Sequence, residues 1–497
     1  MSSAQVNAEK LRICWGVKRG RRLGCGVEVS DPRVVDEVVR LINEFINRVG
    51  RHGTVLLSGS MTPFDYAVNA LGNWLSGIAV GNGDDAIAML RNAEREIGKE
   101  MLELLGKARE VWLSSYRREL EDLINKLQGR EATIIISGDP FNESKSFAAH
   151  LYTENLAIEV ARVAKSGTIT INISLTSLEG ANVAVLRLFS DNTLKAMQYG
   201  LLLTDGAVHE VGYPETRTHQ LWQAIAWPIA WPGKNYMYIS GLGLNNDVKV
   251  TWRLIAIDHK DTFESKAEVA KEAGGLGDDE FPLFLLFAVL GDGNVNVKKR
   301  LIRLYMGYSK LELWGDLIKR LEGLGFRKED EGHKVAYVVW TSKAVELARK
   351  MLSNPIIKAI IEDLARLPDS EKLGRLIELT SMETRSLGRS MVEVVVGVFM
   401  NVRVNNNGTV ELRAWRRGLE DAETIRRKLK EAGYDAWLRP LRDGFEVYVS
   451  MYEIEGDKEL TAKICEVLRK MLEETTNKGK TRRAQSITMA MKRLNCQ

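Results

Sequence analysis

Cysteine is scarce in this chain: Cys14, Cys25, Cys465 and Cys496 are the four in 497 residues, with no C-x-x-C pair among them. That spacing argues against a structural zinc site and predicts no disulfide framework. The six histidines fall at no metal-ligand spacing. Long hydrophobic runs are also missing. The longest stretch of that kind, 281–290, has ten residues, about half of the roughly 20 needed to span a bilayer. No positively charged start followed by an apolar run marks a secretory leader, so the expected setting is cytoplasmic, with no membrane partner. Glutamine is rare, seven residues, while Lys, Arg and Glu abound, a balance found in thermophiles.

The 45% hydrophobic and 27% charged composition is that of an ordinary globular protein, and the length predicts two to four domains. Net charge is only +4, but it is uneven. Residues 401–497 carry 20 Lys and Arg against 15 Asp and Glu, whereas residues 1–400 carry 50 against 51. The basic excess at the C-terminal end permits contact with a nucleic acid without demanding it.

One layout occurs twice. Residues 281–290 (F-P-L-F-L-L-F-A-V-L) run straight into Gly291-Asp292-Gly293. Pro282 suits a first helical turn and Gly293 the residue past the end. A helix apolar on every side must be buried on every side. Its last turn delivers Asp292 to the negative end of the helix dipole, which costs a few tenths to about 1 kcal/mol. A cation beside Asp292 would reverse the sign. The earlier copy, 194–204 (L-K-A-M-Q-Y-G-L-L-L-T), ends in Asp205-Gly206, and a β-like segment follows each Asp-Gly. After the second copy, helix and strand patterns predict the order αββαββα through residue 352, and the first repeats it less cleanly.

Around this pair, residues 1–190 are predicted as an N-terminal α/β domain. A helix is expected over 33–49, a short strand at 54–57, a long helical stretch at 84–128, a strand at 131–137, a helix at 144–165 and a strand at 168–175. The loop Gly138–Ser146, between a predicted strand and helix, has the placement of a phosphate-binding loop but not its glycine–lysine spacing. Residues 354–497 begin with two helices and continue as a basic ββαββα domain, an echo of the preceding order without an Asp-Gly helix.

The segments Y-G-L-L-L-T-D-G (199–206) and F-A-V-L-G-D-G (287–293) resemble the LAGLIDADG helix of homing endonucleases. The stretch 281–496 also resembles the PaRep family (subtype 2b) of paralogous crenarchaeal proteins, through G-D-G-N-V-N-V, L-E-L-W-G-D-L-I, S-K-A-V-E-L-A-R-K, Y-V-S-M-Y-E-I and C-E-V-L-R-K-M-L-E-E. The first resemblance implies tandem αββαββα halves, 191–278 and 279–353, forming a pseudo-symmetric saddle on double-stranded DNA. Internal pseudo-symmetry would let it act as a monomer. Gly200 and Ala288 are small enough for the two first helices to approach. Asp205 and Asp292 would share Mg²⁺ and hydrolyse phosphodiesters, with Lys249 and Lys334 polarising the attacking water. Arg253, Lys298, Lys299, Arg300 and Arg303 would reach DNA from the β-ribbons. Leu203 and Leu290 stand where the family often carries its first acidic residue, and Phe287 replaces a helix-interface glycine. The second resemblance implies no activity. The rival expectations are a non-catalytic nucleic-acid-binding or regulatory protein and a decayed mobile-element product.

Overall fold

A computed structural model describes residues 11–20, 22–79, 85–129, 132–332, 334–382, 390–395 and 397–496. The fold is mixed α/β with three sheets. The chain divides into two units, Met1–Met382 and Glu383–Gln497. Among the described residues no helix is long and apolar enough to cross a membrane.

The first unit opens with a hairpin, β1 (Arg12–Arg19) and β2 (Arg22–Glu28), tied by a Cys14–Cys25 disulfide. A second disulfide joins Cys465 to Cys496, so the expectation of no disulfides is corrected: pairing across a hairpin, and across two packed helices, supplies proximity that spacing does not. Asp31 caps α1 (Pro32–Arg51) by accepting from Arg33 N, and the predicted stripe Val34, Val38, Leu41, Ile42 and Phe45 is buried. The expected strand at 54–57 is instead α2 (Gly53–Leu56), closed by Leu57 N donating to Gly53 O. Next come α3 (Asp65–Gly77), α4 (Ala86–Val111), a π-helical turn (Trp112–Tyr116) and α5 (Arg117–Gly129). The expected element starts at 84 and 131 lie outside the described residues.

After β3 (Thr133–Gly138) the expected helix over 144–165 is replaced by two antiparallel strands, β4 (Phe147–Tyr152) and β5 (Leu156–Arg162). Glu119, from α5, fixes the turn between them: it accepts from Thr153 Oγ1, from Asn155 N at 2.9 Å and from Asn155 Nδ2 at 2.6 Å. The loop 138–146 therefore precedes a strand. It lacks the helix N-terminus that a phosphate-binding loop uses, and that expectation is withdrawn. β6 (Ile169–Leu175) and β7 (Ala181–Val185) complete this part.

The repeated layout follows. Its first copy is α6 (Asp191–Leu203), β8 (Gly206–Val208), β9 (Pro214–Thr218), α7 (Leu221–Ala230), β10 (Gly233–Leu244), β11 (Val248–Ala256) and α8 (Lys266–Gly274). The second is α9 (Glu280–Asp292), β12 (Gly293–Asn296), β13 (Leu301–Gly307), α10 (Tyr308–Gly323), β14 (Arg327–Glu331), β15 (Lys334–Trp340) and α11 (Thr341–Met351). The strands stand side by side as β8-β9-β11-β10 in one copy and β12-β13-β15-β14 in the other. In the first copy the sheet does not stop there. β10 also pairs with β6 and β7, so the sheet runs on through β5, β4, β3 and β1 to β2. Two further helices, α12 (Pro355–Leu364) and α13 (Glu371–Ser381), belong to this same unit.

The second unit holds β16 (Met391–Val395), β17 (Val398–Val404), β18 (Val410–Arg416), α14 (Leu419–Glu431), β19 (Ala436–Leu441), β20 (Gly444–Val449), α15 (Met451–Glu455), α16 (Lys458–Asn477) and α17 (Thr481–Arg493). Its sheet order is β16-β17-β18-β20-β19. Setting β16 aside, the one-two-four-three order of the two repeats appears a third time.

Candidate site at the base of the helix pair

The two apolar helices pack against each other at backbone distance. A Cβ added to Gly200 of α6 would lie 2.6 Å from Phe284 O and 2.7 Å from Phe287 Cβ, both on α9. Phe287 therefore lies opposite Gly200, and Ala288, whose N would lie 3.2 Å from that Cβ, is at the same contact. The helices also meet at their ends. A Cβ on Gly291 would lie 2.7 Å from Thr204 Cβ and 3.0 Å from Asp205 Oδ2. The stretch Leu201–Leu203 and the whole of 284–290 are buried, so each helix is apolar up to its carboxylate-bearing tip.

Neither tip is left as bare helix dipole. Lys372, near the start of α13, donates from Nζ to Leu290 O at 3.0 Å and to Gly291 O at 2.7 Å. Lys266, the first residue of α8, donates to Thr204 O at 3.4 Å. Each lysine caps the carbonyl end of one apolar helix, where a cation is favoured by the dipole. Burial pushes the Lys372 ammonium down from the usual lysine range, and the charges of Asp205 and Asp292 pull it back up. One lysine thus senses both aspartates. Asp205 Oδ2 also accepts from Gln223 Nε2 at 2.7 Å, and Gln223 is buried in α7.

A cation does stand near Asp292, but nothing in its own segment gave it away. Lys372 sits in S-E-K-L-G-R-L, an ordinary amphipathic helix start. The dipole argument says what a cation there would do and not where one would come from.

No protein-family model matches this chain, and no curated protein matches it.

Lys249 and Lys334 make their contacts elsewhere. Lys249 faces Asp369 at 3.9 Å, on the wall of a cavity of about 400 Å³ that also takes in Tyr66, His219, Asp247 and Trp252. Lys334 lies 3.7 Å over the Tyr305 ring and 4.0 Å from Glu331. Arg253 is held by Glu215, at 2.6 Å and 3.0 Å, and donates to Tyr238 Oη at 2.8 Å. Arg303 is held in the same way by Glu329, Glu331 and the Tyr305 hydroxyl. Lys298 and Lys299 are exposed in the turn between β12 and β13, beside Arg300, whose φ is +49°. The W-P-I-A-W-P run, 227–232, closes a buried helix: residues 221–230 are α7, and Trp227 and Trp231 are fully buried.

Mg²⁺ fits this arrangement poorly. Hard oxygen donors are present in two carboxylates, but the Leu290 and Gly291 carbonyls beside them already hold an ammonium, and one Asp205 oxygen holds an amide. A divalent ion placed there would face the Lys372 charge. Lys372→Met is expected to cost about 2–3 kcal/mol, because two carbonyls lose their donor and the charges of Asp205 and Asp292 lose a nearby cation. Adding Mg²⁺ should then raise the melting temperature of the variant and leave that of the wild type unchanged. Thermal melts with and without the ion read both results.

Proposed function

We propose that this chain is a double-stranded DNA-binding protein of the PaRep type, built on a LAGLIDADG-like pair of halves, in which lysines take the place of the catalytic metal. The observation that carries the reading is the junction of α6 and α9: two acidic tips beside a glycine-mediated helix contact, with Lys372 bonded to the last carbonyls of α9 and within the field of both aspartates. The repeated αββαββα order and the shared strand order support the pair of halves. Exposed Lys298 and Lys299 at a ribbon tip, and the basic C-terminal residues, support a polyanionic partner. Internal duplication supports action as a monomer. A cytoplasmic setting in a thermophilic archaeon is compatible with two disulfides.

The Mg²⁺-dependent endonuclease is the competing reading, favoured by the presence of both Asp205 and Asp292. It requires Lys372 to yield its place. Gel shifts with a random duplex pool, followed by plasmid nicking with Mg²⁺, separate the two. Binding is expected to weaken steeply with salt, and neither wild type nor Asp292→Asn should nick. Nicking by wild type that Asp292→Asn abolishes would establish the endonuclease instead. Absence of duplex binding at low salt would end the DNA reading altogether.

A further inference from the structure

The second unit leaves one face of its sheet uncovered by its own helices. Val392, Met400, Val402, Leu412, Val447 and Val449 point to one side and join the buried cluster with the helices. Alternate positions point to the other, because side chains along a strand alternate. That other face carries Phe399, Trp415, Trp437 and Tyr448, together with Arg403, Arg413 and Arg439. Trp415 and Trp437 are 49% and 54% exposed, unusual for the largest apolar side chains.

The Trp415 ring is seated rather than dangling. A Cβ on Gly444 of the adjacent β20 would lie 2.9 Å and 3.0 Å from two atoms of the Trp415 indole. The absence of a side chain at 444 makes room for the ring against the neighbouring strand, with about half of its surface toward solvent. Across the sheet Arg413 pairs in register with Tyr448, and Tyr448 with Trp437. The Arg439 guanidinium lies 5.2 Å from the Tyr448 ring centroid. Glu446 accepts from Arg413 and Arg439, and Glu411 from Arg413, which holds both guanidinium planes in place. Arg417 and Arg442 follow the ends of β18 and β19, at the Trp415 end of the sheet, in a region where Lys and Arg exceed Asp and Glu by 20 to 15.

Exposed aromatic rings spaced along a sheet and flanked by arginines suit one kind of occupant. Unpaired bases stack on such rings whatever their identity, and the phosphates between them meet the exposed Arg403, Arg417 and Arg442, since Arg413 and Arg439 are paired with glutamates. A duplex keeps its bases stacked on one another and offers no free ring face. We propose that the open sheet face of residues 391–449 is a binding platform for single-stranded nucleic acid, separate from the double-strand contact attributed to the first unit.

The test uses the full-length chain and fluorescence anisotropy with labelled oligo(dT), oligo(U) and a duplex. Wild type is expected to bind both single strands. Trp415→Ala should weaken that binding roughly 10-fold, as should Trp437→Ala, the loss of one stacked base each. Trp415→Phe should restore most of it, and duplex affinity should stay unchanged throughout. Arg403→Glu, an exposed substitution that spares the packing, should weaken single-strand binding without altering the melting temperature. Wild type that ignores single strands overturns the proposal, whatever its duplex affinity. Equal losses on duplex and single strand also overturn it. So does a concentration-dependent dimer that Trp415→Ala dissolves while oligonucleotides never bind, for then the face meets a second copy of the chain.

Discussion

Glu94→Gln is expected to flatten the pH dependence of this protein's stability. Glu94 lies in α4 with no exposed surface, and neither carboxyl oxygen has a hydrogen-bond partner. Burial, with a smaller contribution from the nearby Asp363 charge, pushes its pKa up to about 9, while Arg91 and Arg366 pull the other way. The folded protein therefore holds a proton that the unfolded chain releases near the usual 4.5. The sign follows: the contribution is fully favourable below the unfolded pKa and is lost as pH rises toward the folded one, at about 1.4 kcal/mol per pH unit. Between about pH 6 and pH 8 the wild type should lose about 3 kcal/mol through this group, and the glutamine variant should not. Urea unfolding at the two pH values measures the difference. Parallel losses in both proteins would show that Glu94 does not hold its proton.

The second large effect concerns two glycines in helices, for which opposite signs are expected. Gly200→Ala places a methyl against the Phe284 carbonyl and Phe287 Cβ, neither of which can rotate aside. Helix propensity returns about 1 kcal/mol, while forcing two packed backbones apart costs more, leaving a net loss of about 2 kcal/mol. Gly106→Ala, in the interior of α4, meets nothing within 4 Å. It should gain about 0.5–1 kcal/mol from propensity alone. Chemical denaturation of both variants checks the pair. A stabilising Gly200→Ala would mean that α6 and α9 do not approach as closely as described, and the notch between Asp205 and Asp292 would lose its frame.

Glu94 and Gly200 are conspicuous only in three dimensions. In sequence Glu94 lies in N-A-E-R-E, a run that reads as a solvated helix, and its burial is decided by the helices α12 and α3. Asp363 of α12 accepts from Arg91 at 3.1 Å, and Trp74 of α3 donates to the Asp363 carbonyl, so the helix face carrying Glu94 has no water to turn to. The region 144–165 is a comparable case. Its alanines, leucines and single charges are compatible with a helix, yet it forms β4 and β5. The turn between them is nailed by Glu119, 36 positions before Asn155, and the two strands extend a sheet begun by β1 and β3. Local propensities differ by only a few tenths of a kcal/mol per residue, and pairing in a buried sheet outweighs them.

By itself the sequence determined the elements whose signal is local. These were the two apolar helices stopped by Asp-Gly, the ββαββα order after each, the smallness of Gly200 and the unfavourable field at Asp292. Each follows from periodicity, chain punctuation or the field of a single helix, and those act within a few residues. Tertiary structure alone decided which lysine answers that field and which cysteines meet. It also decided that Arg253 and Arg303 spend their charge on glutamates and that Trp415 packs against Gly444. All of these join residues far apart in the chain, and only closure of the whole fold sets such distances.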